Sequence, residues 1–309
     1  GKTAIVFSGQ GAQYPGMGKS FYDNSKVAKK LYDYAESVRP GTIAQSFEGT
    51  AEELKRTENT QPCLYLVDIC AALALMEMGV AADGVAGFSL GEIAALAYGG
   101  AYTCEEGFSI VTRRGRYMQQ AADENDTAMA AVLKTDSTVV ERICSDIRSS
   151  GEKIYPVNYN SPVQTVVAGS KDAIAQLKPI AKEQGARVID LAVGAAFHSP
   201  YMDGAAQNFK EYLGGIKLVE PALPVYANYT AAPYEGATID TLSKQMNNPV
   251  RWCDTIKRMC ADGYTDFIEA GAGKTLCGLI KKIAPEARVY SAEAYESLAE
   301  IAEAVRTDA

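Results

Sequence analysis

Short apolar runs alternate along the chain with longer amphipathic stretches, a rhythm that predicts strands joined by helices. Ala4-Ile5-Val6-Phe7-Ser8 predicts a buried strand, and the loop after it, Gly9 to Gly18, is rich in glycine. Residues 19–57 predict mainly polar helix. Gln61-Pro62 then opens an apolar helix from Cys63 to Met78, closed by Gly79. Val85 to Phe88 predicts the end of a second buried strand, and a helix containing Ile93, Ala94, Leu96 and Ala97 follows. Another helix begins near Cys104 and holds Arg113, Arg114 and Arg116.

A polar break, Asp123-Glu124-Asn125-Asp126, separates this part from a different pattern. Residues 128–133 predict a strand, 137–149 a helix, 154–160 and 165–168 two strands, 171–183 a helix and 187–191 a strand. That β-α-β-β-α-β order is the order of a ferredoxin-like module. The expected organisation is a large α/β subdomain, residues 1–126 and 193–309, interrupted by a small ferredoxin-like subdomain at 127–192. Residues 264–270 predict a further strand of the large part. Two glycine-rich stretches mimic nucleotide loops and fail. Gly9-x-Gly11 has Tyr14 where the third small residue belongs, and Gly271-Ala272-Gly273-Lys274-Thr275 has Ile268 where a phosphate loop needs its first glycine.

The chemistry concentrates at Gly87-Phe88-Ser89-Leu90-Gly91. A serine between two glycines, on a sharp turn from strand to helix, is the arrangement of a nucleophile elbow. Side chains at Gly87 and Gly91 would collide with each other or with the backbone. The turn puts the Ser89 hydroxyl at a helix N-terminus, where the Leu90 amide and the helix dipole stabilise a negative oxygen. An activated serine needs a base, and His198 is the only imidazole in the chain. Of the three clustered arginines, one can turn inward to a carboxylate, which its planar fork fits.

Composition narrows the alternatives. The 309 residues are 47% hydrophobic and 22% charged, as in ordinary globular proteins. No run reaches the roughly 18 apolar residues of a membrane helix, and the N-terminal stretch enters a strand without the apolar core of a signal peptide. A net charge of −8 argues against nucleic acid as the main partner. Seven cysteines without Cys-x-x-Cys spacing read as reduced thiols of a cytoplasmic protein, in which the two Asn-x-Thr sites, Asn125 and Asn228, carry no weight. A single histidine speaks against a zinc site.

The set of motifs is more specific than any member. It comprises Phe7-Ser8-Gly9-Gln10-Gly11, Gly87-Phe88-Ser89-Leu90-Gly91-Glu92, Arg114-Gly115-x-x-Met118-Gln119, Asn158-Tyr159-Asn160-Ser161-Pro162, Phe197-His198-Ser199, Gln245-x-x-Asn248-Pro249-Val250-x-Trp252 and Gly271-Ala272-Gly273. In this order and spacing the chain resembles the malonyl-CoA:acyl-carrier-protein transacylases of fatty-acid synthesis, whose fold also serves as the acyltransferase domain of polyketide synthases. The resemblance spans essentially the whole chain. It implies an α/β-hydrolase-like large subdomain, Ser89 as nucleophile and His198 as base. It also implies a histidine held by the backbone carbonyl of Gln245, an oxyanion hole from the amides of Gln10 and Leu90, and Arg114 on the malonyl carboxylate. Phe197 and Asn160 match substrate-binding positions, with bulky Phe197 disfavouring methylmalonyl.

Two positions depart from the family pattern: Phe88 stands where histidine is common, and Ser8 where proline is usual. The resemblance implies no cofactor and no metal. The implied partners are malonyl-CoA and holo acyl carrier protein, with no membrane or nucleic acid, and a monomer is expected. Arg113, Arg116, Arg187, Lys281 and Lys282 are candidates for docking the acidic carrier. Within the family, a stand-alone acyltransferase serving a polyketide or related assembly line is the alternative to fatty-acid synthesis. Outside it, a serine hydrolase is the first rival, because Met202-Asp203-Gly204-Ala205 is similar to the Asp-Gly-Ala of patatin-like lipases with a Ser-Asp dyad. The early loop of those lipases is absent here. A non-catalytic docking scaffold is the second, and it would need a broken nucleophile or base.

Overall fold

The computed structural model describes residues 1–236 and 238–307. Strand β1 (Lys2–Phe7) is covered on both faces: Ala4 and Val6 pack to one side, Ile5 and Phe7 to the other. Continuous apolar sequence is what a strand buried on both faces requires. Four helices follow, α1 (Lys19–Asn24), α2 (Lys26–Val38), α3 (Thr42–Glu48) and α4 (Ala51–Lys55). Helix α5 (Thr57–Glu77) starts well before the predicted Cys63 and holds Pro62 inside it. Pro62 lies past the first turn, where proline costs nothing, so α5 gives up the backbone bond from residue 62 to residue 58, and the burial of its apolar turns outweighs that loss. By length and composition α5 could cross a membrane, contrary to the expectation from its sequence, but most of it is buried inside the protein.

Strand β2 (Gly84–Gly87) leads through the elbow to α6 (Gly91–Tyr98), and α7 (Cys104–Asp123) packs on α5. Then come β3 (Thr127–Leu133), α8 (Ser137–Ser149), β4 (Ile154–Ser161), β5 (Gln164–Ser170), α9 (Lys171–Glu183) and β6 (Arg187–Asp190). The chain continues through α10 (Asp203–Gly214), β7 (Val225–Tyr226), α11 (Thr238–Gln245), α12 (Trp252–Ala261), β8 (Tyr264–Ala270), α13 (Thr275–Ile283), β9 (Arg288–Ala292) and α14 (Leu298–Thr307).

Two sheets result. The first is parallel, in the order β7-β2-β1-β8-β9. Phe7 is level with both Gly87 of β2 and Ala270 of β8, so the loops after β1, β2 and β8 emerge side by side at the carboxyl edge. Open α/β sheets bind ligands at this edge. The second sheet is antiparallel, in the order β4-β5-β3-β6. Helices α8 and α9 cover one face through Val140, Ile143, Ile174 and Leu177. The other face, with Met129, Ala131, Val157 and Val166, packs against Ala196 and Tyr201. This is the ferredoxin-like strand order expected from the sequence. A strap from the large part joins the sheets: Tyr159 N donates to Val250 O at 2.9 Å, and Val250 N to Val157 O at 2.9 Å.

Candidate active site

The elbow and the first loop fit back to back because three glycines let the backbones touch. A Cβ on Gly87 would lie 2.0 Å from the Gly91 carbonyl, and one on Gly91 would lie 2.3 Å from Phe7 O. A Cβ on Gly9 would lie 2.6 Å from Phe88 O. Ser89 sits in the left-handed region with φ 56°, the strained conformation of an elbow. Neither the Leu90 nor the Gln10 amide has an acceptor among the described residues. Gln10's side chain turns away and donates to Thr57 Oγ1 at 2.9 Å, so its free donor is the backbone amide.

The Ser89 hydroxyl lies 2.7 Å from His198 Nε2. His198 Nδ1 lies 2.8 Å from the Gln245 carbonyl oxygen. A carbonyl oxygen only accepts, so Nδ1 carries the proton and the Nε2 lone pair faces the serine. The chain then bends at His198, whose φ is 63° and whose N–H donates to Met246 O at 3.0 Å. Burial, and after it the positive Arg114, holds the imidazole down to about 4, so it is neutral at pH 7.

Arg114 is the inward member of the arginine group, with no exposed surface, while Arg113 and Arg116 are exposed. Its Nη1 donates to Gln61 Oε1 at 2.9 Å, and Nη2 donates to Gln245 Oε1 at 2.7 Å and to Ser89 Oγ at 3.3 Å. Its Nε–H has no hydrogen-bond partner among the described residues. Burial lowers Arg114 to about 10, which leaves it cationic at neutral pH. A buried cation beside the serine with unused donors is a site for an anion.

Several working residues carry no role in the sequence reading. Glu92 is fully buried in the first turn of α6. Its Oε1 accepts from Asn228 N at 2.7 Å, and its Oε2 accepts from Tyr234 OH. Burial raises it to about 7, against the pull of the Tyr234 hydroxyl, the Asn228 amide and Arg114. Asn228 Oδ1 accepts from Ser89 N at 2.8 Å, and its Nδ2 donates to Gly87 O at 2.7 Å. The side chain of Gln245 donates to Ser89 O at 2.8 Å as well as accepting from Arg114. The one signal for Glu92 in the sequence is a charge opening an otherwise apolar helix; Asn228 and Gln61 come together only in three dimensions.

Phe197, beside the base, is buried in the main core. Asn160 lies on β4, buried, with its Oδ1 unpartnered among the described residues and no hydrogen bond to Ser89, His198 or Arg114. Phe88 turns its ring onto Trp252, with centroids 5.5 Å apart. Ser8 Oγ donates to the buried Asp68 at 2.7 Å beneath the first loop. Asp203, the carboxylate of the lipase rival, accepts from Asn247 at 2.9 Å, whereas the Ser89 hydroxyl is hydrogen-bonded to His198 and Arg114. All seven cysteines are free thiols. Among the described residues no three His, Cys, Asp or Glu side chains cluster as metal ligands would. Lys281 is tied to Ala287 O at 2.9 Å, and Arg113 lies over the Tyr212 ring.

Fold and site together define an enzyme that transfers acyl groups. The chain matches the acyl transferase domain family over residues 4–295 and belongs to it. It is 37% identical over 286 residues to the malonyl CoA-acyl carrier protein transacylase of Bacillus subtilis (strain 168), covering 91% of this chain and 90% of that protein. The crystal structure of the malonyl CoA-acyl carrier protein transacylase from Clostridium perfringens superposes with a TM-score of 0.95 at 33% identity, covering 99% of this chain and 98% of that one. A malonyl-transacylase solved in complex with its type II PKS acyl-carrier protein matches with a TM-score of 0.94 at 32% identity, covering 98% and 100% of the two chains.

Proposed function

We propose that the chain moves malonyl from malonyl-CoA to the phosphopantetheine thiol of acyl carrier protein, supplying extender units for fatty-acid synthesis. The observation that carries the reading is Arg114: a fully buried guanidinium touching the Ser89 hydroxyl, with its Nε–H unpartnered among the described residues. The malonyl carboxylate accepts from Arg114, which sets the thioester carbonyl over Ser89. His198 Nε2 takes the serine proton as Oγ attacks. The tetrahedral oxyanion lies between the Leu90 and Gln10 amides, worth about 3 kcal/mol for each donor at comparable sites. The resulting imidazolium gives its proton to the departing CoA sulfur, and a malonyl-serine ester remains. The carrier's thiol then attacks that ester with His198 again as base, in ping-pong order.

An imidazole near 4 is a weak base. It suffices because a thioester is already activated and its conjugate acid readily protonates a thiolate. Gln245 supplies a neutral carbonyl behind His198, in place of a carboxylate. The chemistry calls for no cofactor, and one chain provides every group named, which fits a monomer. Free thiols suit the reducing cytoplasm. Asn160 and Phe197 line the acyl site in this reading, and the large and small subdomains meet at residues 127 and 192. The acidic carrier docks on local basic residues, with Arg113, Arg116, Arg187, Lys281 and Lys282 as candidates.

Intact-protein mass spectrometry after brief mixing with malonyl-CoA, acetyl-CoA or methylmalonyl-CoA tests the function. One malonyl adduct on the wild type, absent from Ser89→Ala and discharged by holo carrier protein, is the expected result. An adduct that persists in Ser89→Ala, or is lost to water as fast as to the carrier, overturns it.

A further inference from the structure

We propose that Asn228 is a positioning residue of the acyl transfer: its side-chain amide bridges the two ends of the Gly87–Ser89 turn and so holds the serine hydroxyl on His198. The inference deepens the function proposed above and rests on it.

The elbow is held only partly by its own backbone. Phe88 N donates to Phe7 O, Gly91 N to Phe88 O and Glu92 N to Ser89 O, each at 3.0 Å. The Ser89 amide has no backbone acceptor among the described residues. Without a partner it would be a second loose donor beside the Leu90 amide, in a turn whose φ of 56° is strained for serine. Asn228 supplies the partner. Its Oδ1 accepts from Ser89 N at 2.8 Å, while its Nδ2 donates to Gly87 O at 2.7 Å. One planar amide thus spans the residue before the turn and the serine itself, and it fixes the orientation of both peptide planes. Only a side chain with donor and acceptor on one short stem does this. Aspartate has no donor for Gly87 O, and serine has one oxygen where two groups are needed.

Asn228 is itself clamped. It is wholly buried, its N–H donates to Glu92 Oε1 at 2.7 Å, and its carbonyl accepts from Arg251 N at 3.1 Å. Tyr234 OH holds the other Glu92 oxygen. Glu92 stands three residues beyond Ser89 on α6, so the clamp ties the helix after the elbow to the chain end after β7. Asn228 Oδ1 also accepts from Gln245 Nε2 at 3.3 Å, and the Gln245 carbonyl orients His198. The same amide therefore touches the nucleophile's backbone and the residue that aims the base. It contacts neither Arg114 nor the serine hydroxyl, so it acts through position rather than on the reacting atoms.

The test is single-turnover loading of Asn228→Ser and Asn228→Asp against the wild type, with malonyl-CoA and with acetyl-CoA. A fluorophosphonate is a third probe, because it reports serine reactivity without needing the CoA site or Arg114. Rates are expressed per acylatable serine, so loss of folded protein does not count. The expected result is a fall of about a hundredfold in the maximal loading rate, the scale of a nucleophile displaced by about an ångström. The fall is equal for malonyl and acetyl, leaves the half-saturating CoA ester concentration unchanged, and appears equally in fluorophosphonate labelling. Where one variant fails to fold, the other is read alone. Loading within threefold of wild type, a loss confined to half-saturation, or unchanged fluorophosphonate labelling overturns the positioning role while the transferase reading stands. A wild type that takes up no malonyl overturns both.

Discussion

Arg114→Ala separates binding of the acyl carboxylate from its effect on the base. The guanidinium and the imidazole both contact the Ser89 hydroxyl, at 3.3 and 2.7 Å. Sharing that oxygen puts the two nitrogens no more than about 6 Å apart, and at that separation an effective dielectric of about 20 gives about 2.8 kcal/mol, about two pH units. Removing Arg114 therefore raises His198 from about 4 toward its ordinary value. Because the base must be neutral, the acid limb of the loading rate moves up in pH by up to about two units. Malonyl also loses its partner. Truncating one member of a buried, hydrogen-bonded charge pair costs about 2–5 kcal/mol, or about thirtyfold to several thousandfold in kcat/KM. Acetyl has no carboxylate to lose, so at neutral pH it loads as fast or faster than in the wild type. The assay is rapid-quench loading with both CoA esters across pH. In the wild type the same logic puts the kcat limb for malonyl above the kcat/KM limb, because the bound carboxylate offsets Arg114's charge. Equal losses for malonyl and acetyl would show that Arg114 does not hold the acyl carboxylate, and an acid limb that stays in place would show that it does not depress the base.

Three further outcomes follow from the geometry. Gly87→Ala places a Cβ 2.0 Å from the Gly91 backbone, which cannot give way, so the variant should melt much lower and take up no acyl group. Glu92 is raised to about 7 in the folded protein against an ordinary value of 4.5, so the native state keeps its proton between these values while the unfolded chain loses it. Stability from this group is present at low pH and falls as pH rises through about 7, and Glu92→Gln should flatten that part of a melting-temperature-against-pH curve. Phe197→Ala should raise methylmalonyl loading relative to malonyl and, as a core truncation, cost about 3–5 kcal/mol in a denaturant titration; an unchanged acyl preference would show that Phe197 does not face the acyl α-carbon.

Elements that rest on local rules are legible from the residues alone. The apolar run of β1, the glycine pair around Ser89, and the alternating pattern of β3 to β6 with α8 and α9 all form where their residues predict them. Steric exclusion at Gly87 and Gly91 and the period of apolar positions act over a few residues, so both are legible in one dimension. Pro62 reads as the beginning of a helix, yet α5 starts at Thr57, because the burial of its apolar turns outweighs the backbone bond that the proline removes. The local pattern leaves open which of three arginines faces inward and only the family resemblance points to Arg114; the physical choice is made by the packing of α7 on α5, where Gln61 accepts from Arg114. It alone gave Glu92, Asn228 and Tyr234 their work, because each is a polar group whose partner stands more than a hundred residues away in the chain. A buried polar atom must find a partner, and local sequence does not record where that partner is when the partner is brought by the fold.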